Sequence, residues 1–156
     1  MTPIWLPSLI DTDGVWEEVL KRLFRVFKKD FITDGCRYDG LSVNWDHRKV
    51  DSPYEEGFWH LISKDDQITK ERLFDPPRAK RLPWCKPCIE NNQDDTVKVW
   101  ETRRKGRIQV YIWLENYDYV VILQKRSRAV FLMTAYYIVG KSSRKKMRAK
   151  YNQRIH

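Results

Sequence analysis

Three groups of residues carry side chains suited to work on a phosphate ester. His60 lies in the apolar run Gly57-Phe58-Trp59-His60-Leu61-Ile62, four residues before Lys64. Arg78 and Arg81 follow within Phe74-Asp75-Pro76-Pro77-Arg78-Ala79-Lys80-Arg81. Thr134 and Tyr136 alternate along a β-like run further on. An imidazole titrates near neutrality and can take or give a proton. A guanidinium offers phosphate a planar fork that lysine does not imitate. Cutting RNA without a metal needs this kind of set: a base for the ribose 2′-OH, an acid for the leaving 5′-oxygen, and fixed cations and donors around the phosphorus. Taken singly, each residue reads at least as well as a structural one, and a histidine among apolar neighbours is usually part of a core. It is their combination in one basic chain that favours RNA chemistry.

The charge supports a polyanionic partner. The 156 residues hold 30 Lys and Arg against 21 Asp and Glu, a net +9. Seven of those cations lie after residue 140 with no acid among them: Lys141, Arg144, Lys145, Lys146, Arg148, Lys150 and Arg154. The first 140 residues are nearly balanced, with 23 basic and 21 acidic side chains. A concentrated basic end attracts nucleic acid through counterion release and steering. Lys141, Arg144, Lys145, Lys146 and Arg148 are therefore candidate RNA contacts, and Tyr111 and Trp113 are candidates to stack bases. The competing reading is a solubilising tail.

Other chemistries find less support. Trp84-Cys85-Lys86-Pro87-Cys88 matches a thiol-redox pattern, but it follows a basic helical segment where that chemistry wants an apolar strand. A zinc site would need two more ligands at a standard spacing beyond Cys85 and Cys88. There is no glycine-rich phosphate loop, nucleophile-elbow serine or His-Glu-x-x-His motif, so neither cofactor nor metal is expected. No apolar run approaches the roughly 20 residues of a membrane span. The first ten residues lack a basic region and contain Pro3 and Pro7, so no secretory signal is read, and the three cysteines suit a reducing cytoplasm.

The elements that must position these residues follow from periodicity. Trp16, Val19, Leu20, Leu23, Phe24 and Phe27 recur at three- and four-residue steps and predict a helix over 13–31, capped by Asp13. Asp75 followed by two prolines predicts a second helix start, which would set Arg78 and Arg81 on one face. Strands are expected at 97–103, 107–114, 118–124 and 129–138, joined by connectors short enough for an antiparallel meander. Simple alternation would put Val130, Leu132, Thr134 and Tyr136 on one face of the last strand. The reading is a single α+β domain over 1–140, with N-terminal helices on one face of a four-stranded antiparallel sheet, and a basic tail over 141–156. The open sheet face would be the working surface.

The order of these segments resembles a known superfamily. It runs from the N-terminal helix through Gly-Phe-Trp-His-Leu-Ile to Phe-Asp-x-x-Arg-Ala-x-Arg-x-x-Trp. It ends in a meander of Tyr-Ile-Trp-Leu, Asp-Tyr-Val-Val-Ile-Leu and Thr-Ala-Tyr-Tyr-Ile. In this it is similar to the barnase–EndoU–colicin–RelE toxin ribonucleases, in particular their phage- and mobile-element-associated branch. The resemblance spans residues 57–138, about half the chain. It implies N-terminal helices on a four-stranded antiparallel sheet, and metal-independent RNA cleavage that leaves a 2′,3′-cyclic phosphate. Carried over by position, the site would be His60, Arg78, Arg81, Thr134 and Tyr136, with Lys64 sharing or taking the histidine's role. It also implies a tRNA or mRNA substrate and an acidic antitoxin or immunity protein as partner. A non-catalytic RNA-binding module using the same cations is the alternative expectation.

Overall fold

The computed structural model describes residues 2–156. The amphipathic periodicity produces helix α1, Trp16–Phe27, which continues as a π-helical turn, Lys28–Thr33. Asp13 does not cap it: Val15 occupies that position with no side-chain bond, and the Asp13 amide donates to the Asp11 carboxylate. Two short strands follow, β1 (Arg37–Tyr38) and β2 (Leu41–Asn44), then the one-turn helix α2 (Glu56–Trp59). A small antiparallel hairpin of β3 (Ser63–Asp65) and β4 (Arg72–Phe74) leads into α3 (Pro76–Lys80) and α4 (Leu82–Glu90). The meander comprises β5 (Val97–Arg104), β6 (Arg107–Leu114), β7 (Tyr119–Lys125) and β8 (Ala129–Tyr137), and helix α5 (Gly140–Asn152) closes the chain.

The α+β class holds, but the sheet is not the four-stranded antiparallel one expected. It has six strands in the order β1-β2-β8-β7-β6-β5 and is mixed, because β2 runs parallel to β8. The pairing of Val43 with Val130 joins segments separated by most of the chain. Short connectors, which reveal hairpins, say nothing about a partner so distant in sequence.

Helices also lie on both faces. On one side α1, α2 and α4 pack against the sheet through a core that includes Leu23, Phe27, Phe58, Leu82, Ile89, Val110, Ile112, Leu114, Val121 and Leu123. On the other side α5 covers Trp100, Tyr111, Trp113, Val120 and Ile122 with Met147 and Tyr151. The residues read as a basic tail are thus a packed helix. Only two apolar side chains at four-residue spacing reach the sheet, too few to mark an amphipathic helix by hydrophobicity. Cations over rings supply much of the remaining packing: Arg144 lies 5.6 Å from the Trp113 ring centre and Lys150 5.5 Å from that of Tyr111.

Alternation along β8 also fails at one point. Ile122 pairs with Thr134 and Leu123 with Leu132, leaving Met133 as an inserted residue. Such a bulge shifts the facing of everything beyond it. Val130, Leu132 and Ala135 consequently share the helix-side core, whereas Met133 and Tyr136 pack toward α5.

Candidate active site

Four elements meet at the bulge. Asp75 opens α3 by accepting the Arg78 amide at 3.4 Å, and Pro76 and Pro77 fix the first turn. This start turns the Arg78 side chain back across the sheet. Its Nη1 donates to the main-chain oxygens of His60 at 3.1 Å and Ser63 at 2.5 Å, and to Thr134 Oγ1 at 3.5 Å. Nε lies 3.5 Å from the Asp75 carboxylate. Nη2 makes no hydrogen bond among the described residues, and Nε is buried without one. Thr134 Oγ1 in turn donates to the His60 carbonyl at 3.2 Å. The turn bearing the imidazole is thereby held to α3 through Arg78 and to β8 through Thr134.

His60 is the C-cap of α2 and is half-buried. Its Nδ1 is buried without a partner. Burial pushes the imidazole below its ordinary value of 6.5, opposed by the carboxylates of Glu56 and Asp46 and assisted by Arg72. A histidine depressed in the folded state binds fewer protons than in the unfolded chain, so its stability contribution is present above 6.5 and is lost as pH falls from there through the folded value. The urea midpoint is expected to drop between about pH 7.5 and pH 5.5, and His60→Gln to flatten that dependence. An unchanged slope in the variant would assign the pH response to other groups.

His60, Lys64, Arg78 and Thr134 line one cleft of about 780 Å³, together with Glu56, Arg72 and the β3–β4 hairpin. Arg72 pairs with Glu56 at 2.5 Å and its guanidinium lies 5.2 Å from the Trp59 ring centre, so it braces the wall beside the imidazole. Sequence reasoning missed Glu56, Ser63, Asp65, Asp66 and Arg72. The one signal available was Glu56 standing four residues before His60, a helical spacing.

The other candidates fall elsewhere. Tyr136 lines an adjoining cleft with Lys64 and Arg78, and its ring centre lies 5.6 Å from the Arg78 guanidinium. Arg81 is not on a shared face with Arg78. It is the junction between α3 and α4, donates to the Pro77 carbonyl at 2.7 Å, lies 3.8 Å from the Tyr137 ring centre, and lines neither cleft. Tyr111 and Trp113 are buried beneath α5, Tyr111 stacked on Trp100 at 5.1 Å, and so cannot receive bases in this arrangement. On α5, Arg144 pairs with Asp118 and Arg148 with Glu115, while Lys141, Lys145 and Lys146 are exposed. Cys85 and Cys88 are buried on α4, and burial raises both thiols, Cys88 to about 12, which disfavours the thiolate that redox or metal chemistry uses.

No protein-family model, curated protein or solved structure matches this chain. No helix among the described residues is long and apolar enough to cross a membrane.

Proposed function

We propose that this chain is a metal-independent endoribonuclease of the toxin type, acting by attack of the ribose 2′-oxygen on the adjacent phosphorus. The observation that supports this best is the convergence of His60, Lys64, Arg78 and Thr134, from four separate elements, on one cleft. A depressed imidazole is neutral at pH 7 and serves as the base that takes the 2′-OH proton. The new P–O2′ bond forms as the P–O5′ bond breaks, giving a 2′,3′-cyclic phosphate and a 5′-hydroxyl. Lys64, at the junction of the two clefts, is placed to protonate the departing oxygen. Arg78 Nη2 faces the charge that develops on the phosphoryl oxygens, and the bonds from Nη1 keep it from having to reorganise. Tyr136 borders the neighbouring nucleotide. A toxin of this kind in the cytoplasm would need an antitoxin or immunity protein, and an acidic one would meet complementary charge on the exposed lysines of α5 beside the cleft.

Purified protein incubated with tRNA or mRNA in excess EDTA is expected to release fragments ending in cyclic phosphate. His60→Ala should lower the rate by about 10²–10⁴-fold, and a substrate with a single 2′-deoxyribose at the scissile position should survive. Binding of RNA with no cleavage under any of these conditions would leave a non-catalytic RNA-binding module as the reading.

A further inference from the structure

The cations of α5 fall into two stripes, and only one of them faces the cleft region. Ser143, Lys146, Met147 and Lys150 recur at the steps that place residues on one side of a helix. That side borders a second hollow of about 360 Å³, whose wall also includes Lys64, Arg78 and Tyr136. Lys141, Arg144, Lys145 and Arg148 lie along another side and line a separate depression. The two sides differ in charge state as well as direction. Arg144 and Arg148 are neutralised by Asp118 and Glu115. Lys64, Lys146 and Lys150 form no ion pair among the described residues. The single acid lining this hollow, Asp75, is engaged with Arg78 and the start of α3.

The geometry points to a second phosphate subsite between Lys64, Lys146, Lys150 and the Ser143 hydroxyl. It would hold the backbone phosphate next to the one positioned by His60 and Arg78. Lys64 and Arg78 line both hollows, so one polynucleotide strand can pass from the first into the second past the same two cations. The identity of the strand as RNA rests on the ribonuclease reading above. The substrate class follows: an RNA extending at least one nucleotide beyond the cut, single-stranded at that point, gripped by charge and without base-edge readout. The neighbouring Tyr136 and Tyr137 rings are half-exposed and offer aromatic surface along this path on which a base could stack.

The test uses a 2′-O-methylated hexanucleotide, which cannot be cut, and follows binding by fluorescence anisotropy between about 50 and 200 mM salt. Lys146→Gln/Lys150→Gln is expected to weaken binding about tenfold and to make the log–log salt slope shallower by about 0.7 for each phosphate no longer neutralised. Lys146→Arg/Lys150→Arg should restore affinity. Lys21→Gln/Lys28→Gln removes the same charge from exposed positions on and just after α1 and should change affinity less than about twofold. Equal losses in the two glutamine pairs, no loss in the first, or no binding by the unaltered protein would each overturn the subsite. The ribonuclease reading is tested separately. If the unaltered protein cuts RNA and the Lys146→Gln/Lys150→Gln variant cuts it with the same KM, the subsite fails and the enzyme stands. If nothing is cut but binding depends on Lys146 and Lys150, the subsite stands and the enzyme fails.

Discussion

Arg78→Lys is expected to abolish most RNA cleavage, by about 10²-fold or more in kcat, although it keeps the positive charge. A lysine ammonium on a flexible stem has no fork with which to hold the His60 and Ser63 carbonyls through one nitrogen and address a phosphate through another. The substitution therefore acts twice. It removes a preorganised donor from the developing charge, and it releases the turn that aims the imidazole. The Thr134 hydroxyl would remain as a donor to the His60 carbonyl, but the Ser63 carbonyl would lose the Arg78 bond. Charge-assisted bonds of this type contribute about 1.5–3 kcal/mol each, so Arg78→Ala should also lower stability by roughly 2–4 kcal/mol. The measurements are kcat and KM on a defined oligonucleotide, with urea denaturation in parallel. An Arg78→Lys variant that retained wild-type kcat would show that a charge alone suffices, and the reading of Arg78 as a phosphate fork would be lost.

The site was partly legible in sequence because its anchor is local. Asp75-Pro76-Pro77 announces a helix start, and a start at Asp75 fixes where Arg78 emerges. Arg81 illustrates the limit of that argument. Three-residue spacing puts two side chains on one face only if the helix continues, and the chain instead breaks at Arg81, between α3 and α4. The meander was legible through turns such as Lys105-Gly106, where both residues take positive φ between strands too close for any other pairing. An extended piece near Leu41–Trp45 was legible as well, but its place as β2 beside β8 was not, since its partner is remote in sequence. The bulge at Met133 was invisible for a different reason: an inserted residue leaves the alternation of residue types plausible on either side of it. It is that bulge which turns Thr134 and Tyr136 together away from the core side of Val130 and Leu132, toward the clefts they line.

The clefts also explain why net charge was a poor guide to chemistry. Most of the excess lies on α5, yet Arg144 and Arg148 are tied to acids, and Arg154 just beyond the helix lies over the Tyr151 ring. The first cleft is lined by Glu56, Asp65 and Asp66 as well as by His60, Lys64, Arg72 and Arg78. What distinguishes it is fixed orientation of a few donors, the property on which electrostatic catalysis depends.

Truncation after Val139 is expected to leave a protein that no longer folds to a soluble state. Without α5 the side chains of Trp100, Tyr111 and Trp113, now buried, would form one exposed apolar patch with Val120 and Ile122. An aromatic side chain buries about 150–250 Å². At roughly 25 cal/mol per Å², partial exposure of three of them together with their aliphatic neighbours costs about 5 kcal/mol or more, comparable with the whole stability of a typical domain. The Nε1 atoms of Trp100 and Trp113 are buried without partners, and hydration of these two groups would recover part of that loss, which is why the cost is set no higher. A milder variant separates loss of the helix from loss of its charge. Met147→Asp leaves every cation of α5 in place, introduces a carboxylate against the aromatic cluster, and should cost about 3 kcal/mol or more. Near-UV circular dichroism from the Trp100–Tyr111 stack and binding of an apolar dye report on the same face. If the truncated chain kept its urea midpoint to within about 1 kcal/mol of stability and showed the same near-UV signal, α5 would be an appended basic segment. Lys146 and Lys150 would then have no rigid element to hold them beside Arg78.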